Sequence, residues 1–112
     1  MTPQKTDELM NQAKSGAMPL EVLMQQADAL KHAGRAQDAM SLYKIWIACT
    51  QSPTRFVALF NWGVMLSEAG DMDAAEMAYR QCVALNPGLL QAKINLGLTL
   101  ERKKNFDEAL QQ

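Results

Sequence analysis

The side chains of this chain that could do chemistry are one histidine, two cysteines and a group of carboxylates. His32 has no Cys or His near it at the spacing a zinc site uses, so a solvated side chain near a helix end is its expected role. Cys49 and Cys82 sit among apolar residues at helical spacing and read as two small buried core residues. A disulfide between them stays open, but nothing in the sequence demands one. Glu68, Asp71, Asp73 and Glu76 cluster around one turn. A calcium loop would need alternating oxygen ligands, a central glycine and a closing glutamate. The stretch DMDAAE lacks that pattern, so helix capping and a solvated face explain the carboxylates better. Ser15, Ser41, Ser52 and Ser67 lie in no nucleophile-elbow context, and the scattered glycines form no phosphate loop. No catalytic residue, metal site or cofactor is expected in this segment.

Two asparagines are the better candidates, and their chemistry is binding. A primary amide offers both a donor and an acceptor, matching those of a peptide bond. Asn61 and Asn95 stand 34 residues apart, inside segments that correspond elsewhere too: Gly63 with Gly97, Asp71 with Asn105, Ala75 with Ala109. A fixed period of that size is the mark of a stacked repeat.

The elements that would position these amides are helices. Apolar residues recur at periods near 3.6 with no strand-like alternation. The pattern predicts about seven helices: 3–15, 19–33, 36–50, 53–69, 72–85, 88–103 and 106 to the end. Pro3, Pro19, Pro53 and Pro87 suit first turns, where a missing N–H is no loss. Thr2, Ser52 and Asn86 stand before three of them as N-caps would, and Asp71 and Asn105 are placed to cap the fifth and seventh helices. Gly16, Gly34 and Gly70 fall where helices should stop. Small residues 12 apart, Ala27 with Ala39, Gly63 with Ala75 and Gly97 with Ala109, would let paired antiparallel helices cross closely. Isolated pairs could not bury their apolar faces, whereas stacked pairs can.

These features resemble the tetratricopeptide repeat. Residues 56–87 carry Trp62–Gly63, Leu66, Gly70–Asp71, Ala75, Tyr79 and Asn86–Pro87; residues 90–112 carry Asn95, Leu96–Gly97, Leu100, Phe106 and Ala109–Leu110. Residues 20–53 match more loosely, with Gln26 at an apolar place. The resemblance implies an all-α fold, a right-handed superhelical solenoid of antiparallel helix pairs. Its divisions would be a capping helix at 1–18, a divergent first repeat at 19–53, a second at 54–87, and a third at 88–112 that stops within its second helix. It also implies a concave face lined by the first helix of each pair. The facing residues would be Met24, Gln25, Asp28 and Lys31, then Phe60, Asn61, Val64, Ser67 and Glu68, then Ile94, Asn95, Leu98, Glu101 and Arg102. A narrower similarity, carried by Tyr43–Lys44, Trp46–Ile47, Ser52–Pro53 and Phe60–Asn61, is to the repeats of bacterial O-linked N-acetylglucosamine transferase-like proteins. It implies an asparagine ladder holding an extended peptide, ahead of a glycosyltransferase region that is not in these residues. The other role for Asn61 and Asn95 is to bond within their own helix layer and fix repeat geometry.

Composition narrows the partner. The chain has 112 residues and a formal net charge of -1, with no long basic run, so nucleic acid is not expected. No apolar run approaches the length that crosses a bilayer, and the N-terminus has no signal-peptide core, so the cytoplasm is the expected compartment. Lys31 and Arg102 are too few and too far apart to clamp a terminal carboxylate. The expected function is a non-catalytic scaffold that binds a protein or extended peptide. Service to a larger glycosyltransferase and self-association are the competing readings. Phe106, Ala109 and Leu110 have the spacing of a buried stripe with nothing after them to cover it, which makes the C-terminal edge the place for a homodimer.

Overall fold

The structure is a computed structural model and describes residues 3–111. Thr2, expected to cap the first helix, lies outside them. Six helices follow one another: α1 (Pro3–Lys14), α2 (Leu20–His32), α3 (Ala36–Cys49), α4 (Arg55–Glu68), α5 (Met72–Leu85) and α6 (Leu90–Gln111). The described residues contain no strand. Contacts gather the chain into two compact units, Met1–Ala58 and Leu59–Gln112, with the boundary inside α4.

In the first unit α3 is the central element, packed against both α1 and α2. Its inner face carries Ala39, Leu42, Tyr43, Trp46 and Ile47, all buried. They meet a stripe of Leu23, Ala27 and Leu30 on α2, and Leu9 and Ala13 on α1 are buried as well. Ala27 and Ala39, the expected close pair, are both fully enclosed. The Trp46 indole is the largest side chain in this core, and its one donor is satisfied by the Met18 carbonyl at 2.8 Å. Pro19 opens α2 from an extended conformation, φ -65° and ψ 154°, as a proline before a helix should.

The second unit is built on a close approach of α4 and α5. Gly63 has no Cβ, and the space is taken by the Tyr79 ring. A Cβ built there would lie 2.7 Å from Tyr79 Cε1 and 3.0 Å from Cδ1 and Cζ. The same ring meets Phe60 edge to face, with centroids 6.1 Å apart. Gly70, at φ 86°, ends α4 in the left-handed conformation, and the Asp71 carboxylate then accepts the Ala74 N–H at 3.2 Å to start α5. α6 packs along α5. Lys103 fastens it there, its ammonium 2.8 Å from Asp73 and 2.7 Å from Glu76.

Three expectations are corrected. The sixth and seventh helices are one: α6 runs unbroken through Asn105, which therefore caps nothing. The reason lies one period back, where Gly70 takes the positive φ that stops α4. Its counterpart is Lys104, whose Cβ makes that conformation cost about 1–2 kcal/mol. Gly97 and Ala109 consequently do not cross each other. They stand on one helix, about 18 Å apart at 1.5 Å per residue, and both are exposed. Finally, Cys82 is buried as expected but Cys49, the last residue of α3, is exposed; both are free thiols.

Candidate functional site

A cleft of about 220 Å³ opens in the second unit between α4 and α6, with Tyr79 of α5 at its floor. One wall is Val64, Ser67 and Glu68, one turn of α4. The other is Asn95, Leu98, Thr99 and Arg102, whose spacing of three and four places them on one face of α6. The cleft is apolar where Val64 faces Leu98. At its other end it carries one anion, Glu68, and one cation, Arg102. The Arg102 guanidinium donates to the Ser67 hydroxyl at 3.2 Å and so links α6 to α4.

The Asn95 amide is oriented by two neighbours. Its Oδ1 accepts from Gln91 Nε2 at 3.0 Å, a bond along one face of α6. Its Nδ2 points to the Tyr79 hydroxyl at 3.5 Å, the long limit of a hydrogen bond. Thr99 donates to the Asn95 carbonyl at 2.8 Å, closing its own hydroxyl within the helix. Burial pushes the Tyr79 phenol above its ordinary value, against the lowering effect of the Asn95 hydrogen bond. At neutral pH the group is therefore an uncharged hydroxyl.

The structure brings Val64, Glu68, Asn95, Leu98 and Arg102 to this one cleft, together with Ser67. Ile94, exposed on the neighbouring strip of α6, does not line it, and neither do Glu101, Phe60 and Asn61. Asn61 is half-buried on α4 and engaged in an interaction of its own. Gln25 and Asp28 belong to the first unit, where both are exposed on α2. Sequence reasoning missed Thr99, and it named Tyr79 only as part of the repeat pattern and not as a cleft residue. A tyrosine where phenylalanine would fill the same space was the available signal, because a buried hydroxyl must find a partner.

A second recess, about 230 Å³, lies between the α4–α5 turn and α6 and is lined by Gly70–Asp73, Lys103, Phe106 and Asp107. Its carboxylates serve structure: Asp71 caps α5 and Asp73 pairs with Lys103. No group of three His, Cys, Asp or Glu that could hold a metal ion occurs among the described residues. His32 is exposed and its Nδ1 lies 2.7 Å from the Asp28 carbonyl, one turn back.

Residues 57–89 match the family model of the tetratricopeptide repeat. The chain carries a tetratricopeptide repeat there. The matched segment contains most of α4 and all of α5, and with them the Gly63–Tyr79 approach that forms the floor of the cleft. Comparisons with curated proteins and with solved structures gave no match. A tetratricopeptide repeat points to a protein-interaction scaffold. Among the described residues no helix is long and apolar enough to cross a membrane.

Proposed function

We propose that the second unit binds a polypeptide in the cleft between α4 and α6, as the ligand face of a tetratricopeptide scaffold without chemistry of its own. The observation that carries this is the Asn95 amide. It stands beside an apolar patch made by Val64 and Leu98, with its orientation set by Gln91 and Tyr79. One amide proton and one oxygen lone pair remain for a ligand. An apolar surface next to an oriented donor and acceptor suits an extended chain, whose side chain seeks the patch while its peptide group meets the amide. Asn61, the counterpart of Asn95 on α4, lies outside this cleft and is no part of the proposed face.

The test is a selection of random twelve-residue peptides on the intact chain, followed by titration of the enriched peptides into the parent protein and into Asn95→Ala. Binding that perturbs Val64, Leu98 and the Asn95 side chain in NMR spectra, and that weakens about 2–100-fold in the variant, is expected for the loss of one or two hydrogen bonds. Enriched peptides that bind away from the cleft and tolerate Asn95→Ala would overturn the proposal. So would a loss of folding in Asn95→Ala, which would make the asparagine a structural residue.

A further inference from the structure

Among the described residues three threonines are buried: Thr6, Thr50 and Thr99. Thr99 lies inside α6 and gives its proton to the Asn95 carbonyl, one turn back, at 2.8 Å. Thr6 is engaged in an interaction of its own. Thr50 differs from both. It is 7% exposed, and its Oγ1 is the one buried side-chain polar atom among the described residues that has no hydrogen-bond partner. Its place in the chain gives the reason. Thr50 follows the last residue of α3 in an extended conformation, φ -117° and ψ 126°. The bond back to a carbonyl one turn earlier, which serves Thr99 within its helix, is therefore not made.

The end of α3 that carries Thr50 is enclosed and rich in acceptors. The last four carbonyls of a helix have no partner within it. Arg55, at the start of α4, reaches back to one of them, donating to the Ile47 carbonyl at 3.2 Å. The turn between α1 and α2 lies against another: a Cβ built on Gly16 would stand 3.1 Å from the Cys49 oxygen. The Trp46 indole fastens the chain just after that turn through the Met18 carbonyl. We infer that the Thr50 hydroxyl binds a buried structural water, which it shares with a carbonyl of the last turn of α3. Water fits this place because it can pair with the hydroxyl and give a proton to a carbonyl in the same position. Leaving a buried hydroxyl unmade costs more than immobilising one water, and that difference favours the bridge. The water completes the polar end of α3, the central helix of the first unit, where the α1–α2 turn and the start of α4 meet it.

The test is a high-resolution crystal structure of the full chain, with thermal melts of two variants. The expected result is an ordered water within about 2.5–3.2 Å of Thr50 Oγ1 and also within reach of a carbonyl among residues 46–49. An Oγ1 bonded directly to a protein group would overturn the inference, and so would one that touches no ordered water. Thr50→Val fills the same space without the oxygen. It is expected to lose the water and to melt about 2–6 °C lower, the loss of roughly one hydrogen bond. Thr50→Ser keeps the oxygen and is expected to keep the water. An equal or higher melting temperature in Thr50→Val would mean that the hydroxyl was never satisfied, and would refute the bridge. Should Thr50→Val fail to fold, the crystal structures of the parent chain and of Thr50→Ser decide: the water present in both supports the site, and its absence from either overturns it.

Discussion

Gly63 and Gly97 occupy the same place in consecutive periods, and the same substitution is expected to act on them with opposite sign. Glycine in a helix interior costs roughly 1 kcal/mol relative to alanine, so Gly→Ala starts with that gain at both sites. At Gly97 a Cβ meets nothing within 4 Å, and the gain should appear nearly whole. At Gly63 the new methyl would sit 2.7 Å from the Tyr79 ring, closer than real Cβ atoms come, and the ring is itself enclosed. Overpacking of that kind costs about 1–3 kcal/mol. The expected result is Gly97→Ala stabilised by about 1 kcal/mol and Gly63→Ala between neutral and about 2 kcal/mol destabilised. The gap between the two is then about 1–3 kcal/mol, from which the shared propensity gain has cancelled. Both glycines lie in the second unit, so one cooperative transition should report both. At roughly 4 °C per kcal/mol for a chain of this size, the melting temperatures should differ by about 4–12 °C, readable by circular dichroism. Repeating the pair in a Tyr79→Leu background should shrink the gap, since the clash then loses its partner. Gly63→Ala as stable as Gly97→Ala would refute the close approach of α4 and α5 on which the cleft floor depends.

Two further outcomes follow from other contacts. Gly70→Ala should destabilise the second unit by about 1 kcal/mol, because Gly70 sits at φ 86° and only the backbone conformation, with no neighbour within 4 Å, penalises a side chain; equilibrium urea unfolding measures it. Hydrogen bonds from Lys103, then from Arg80, hold the Glu76 carboxyl below its ordinary value of 4.5. A depressed folded-state pKa adds stability that is present above the unfolded value and fades as pH falls through the folded one, so the acid limb below pH 4.5 should carry this loss. Lys103→Met should flatten that limb in a pH series of thermal melts, and an unchanged slope would count against the contact.

Much of the helical plan was legible in the sequence because its signals are local. Gly16, Gly34 and Gly70 take the positive φ that stops a helix, and Asp71 caps α5 through its own side chain. Neither needs more than a few neighbouring residues to act. The break at Asn105 was misread for the converse reason. The period supplied the asparagine and the small residues, but Lys104 stands where a left-handed glycine was needed, and helix propagation then costs less than stopping. The cleft was legible only as a list of facing positions. Spacing put Asn95, Leu98 and Arg102 on one face of a helix, yet it could not tell which of the facing residues share a space.

The sequence by itself determined that this chain is helical, where five of the six helices among the described residues lie to within about two residues at each end, and that residues of one segment recur 34 positions later in another. Those properties depend on φ and ψ preferences and on hydrophobic period, both written in short windows of sequence. Only the tertiary structure decided that Tyr79 fills the gap at Gly63, that its hydroxyl reaches Asn95, and that Arg102 meets Ser67. Those contacts join residues 16 and 35 positions apart. They exist because packing fixes the distance and rotation between helices to a fraction of a side chain, a quantity that no local preference encodes.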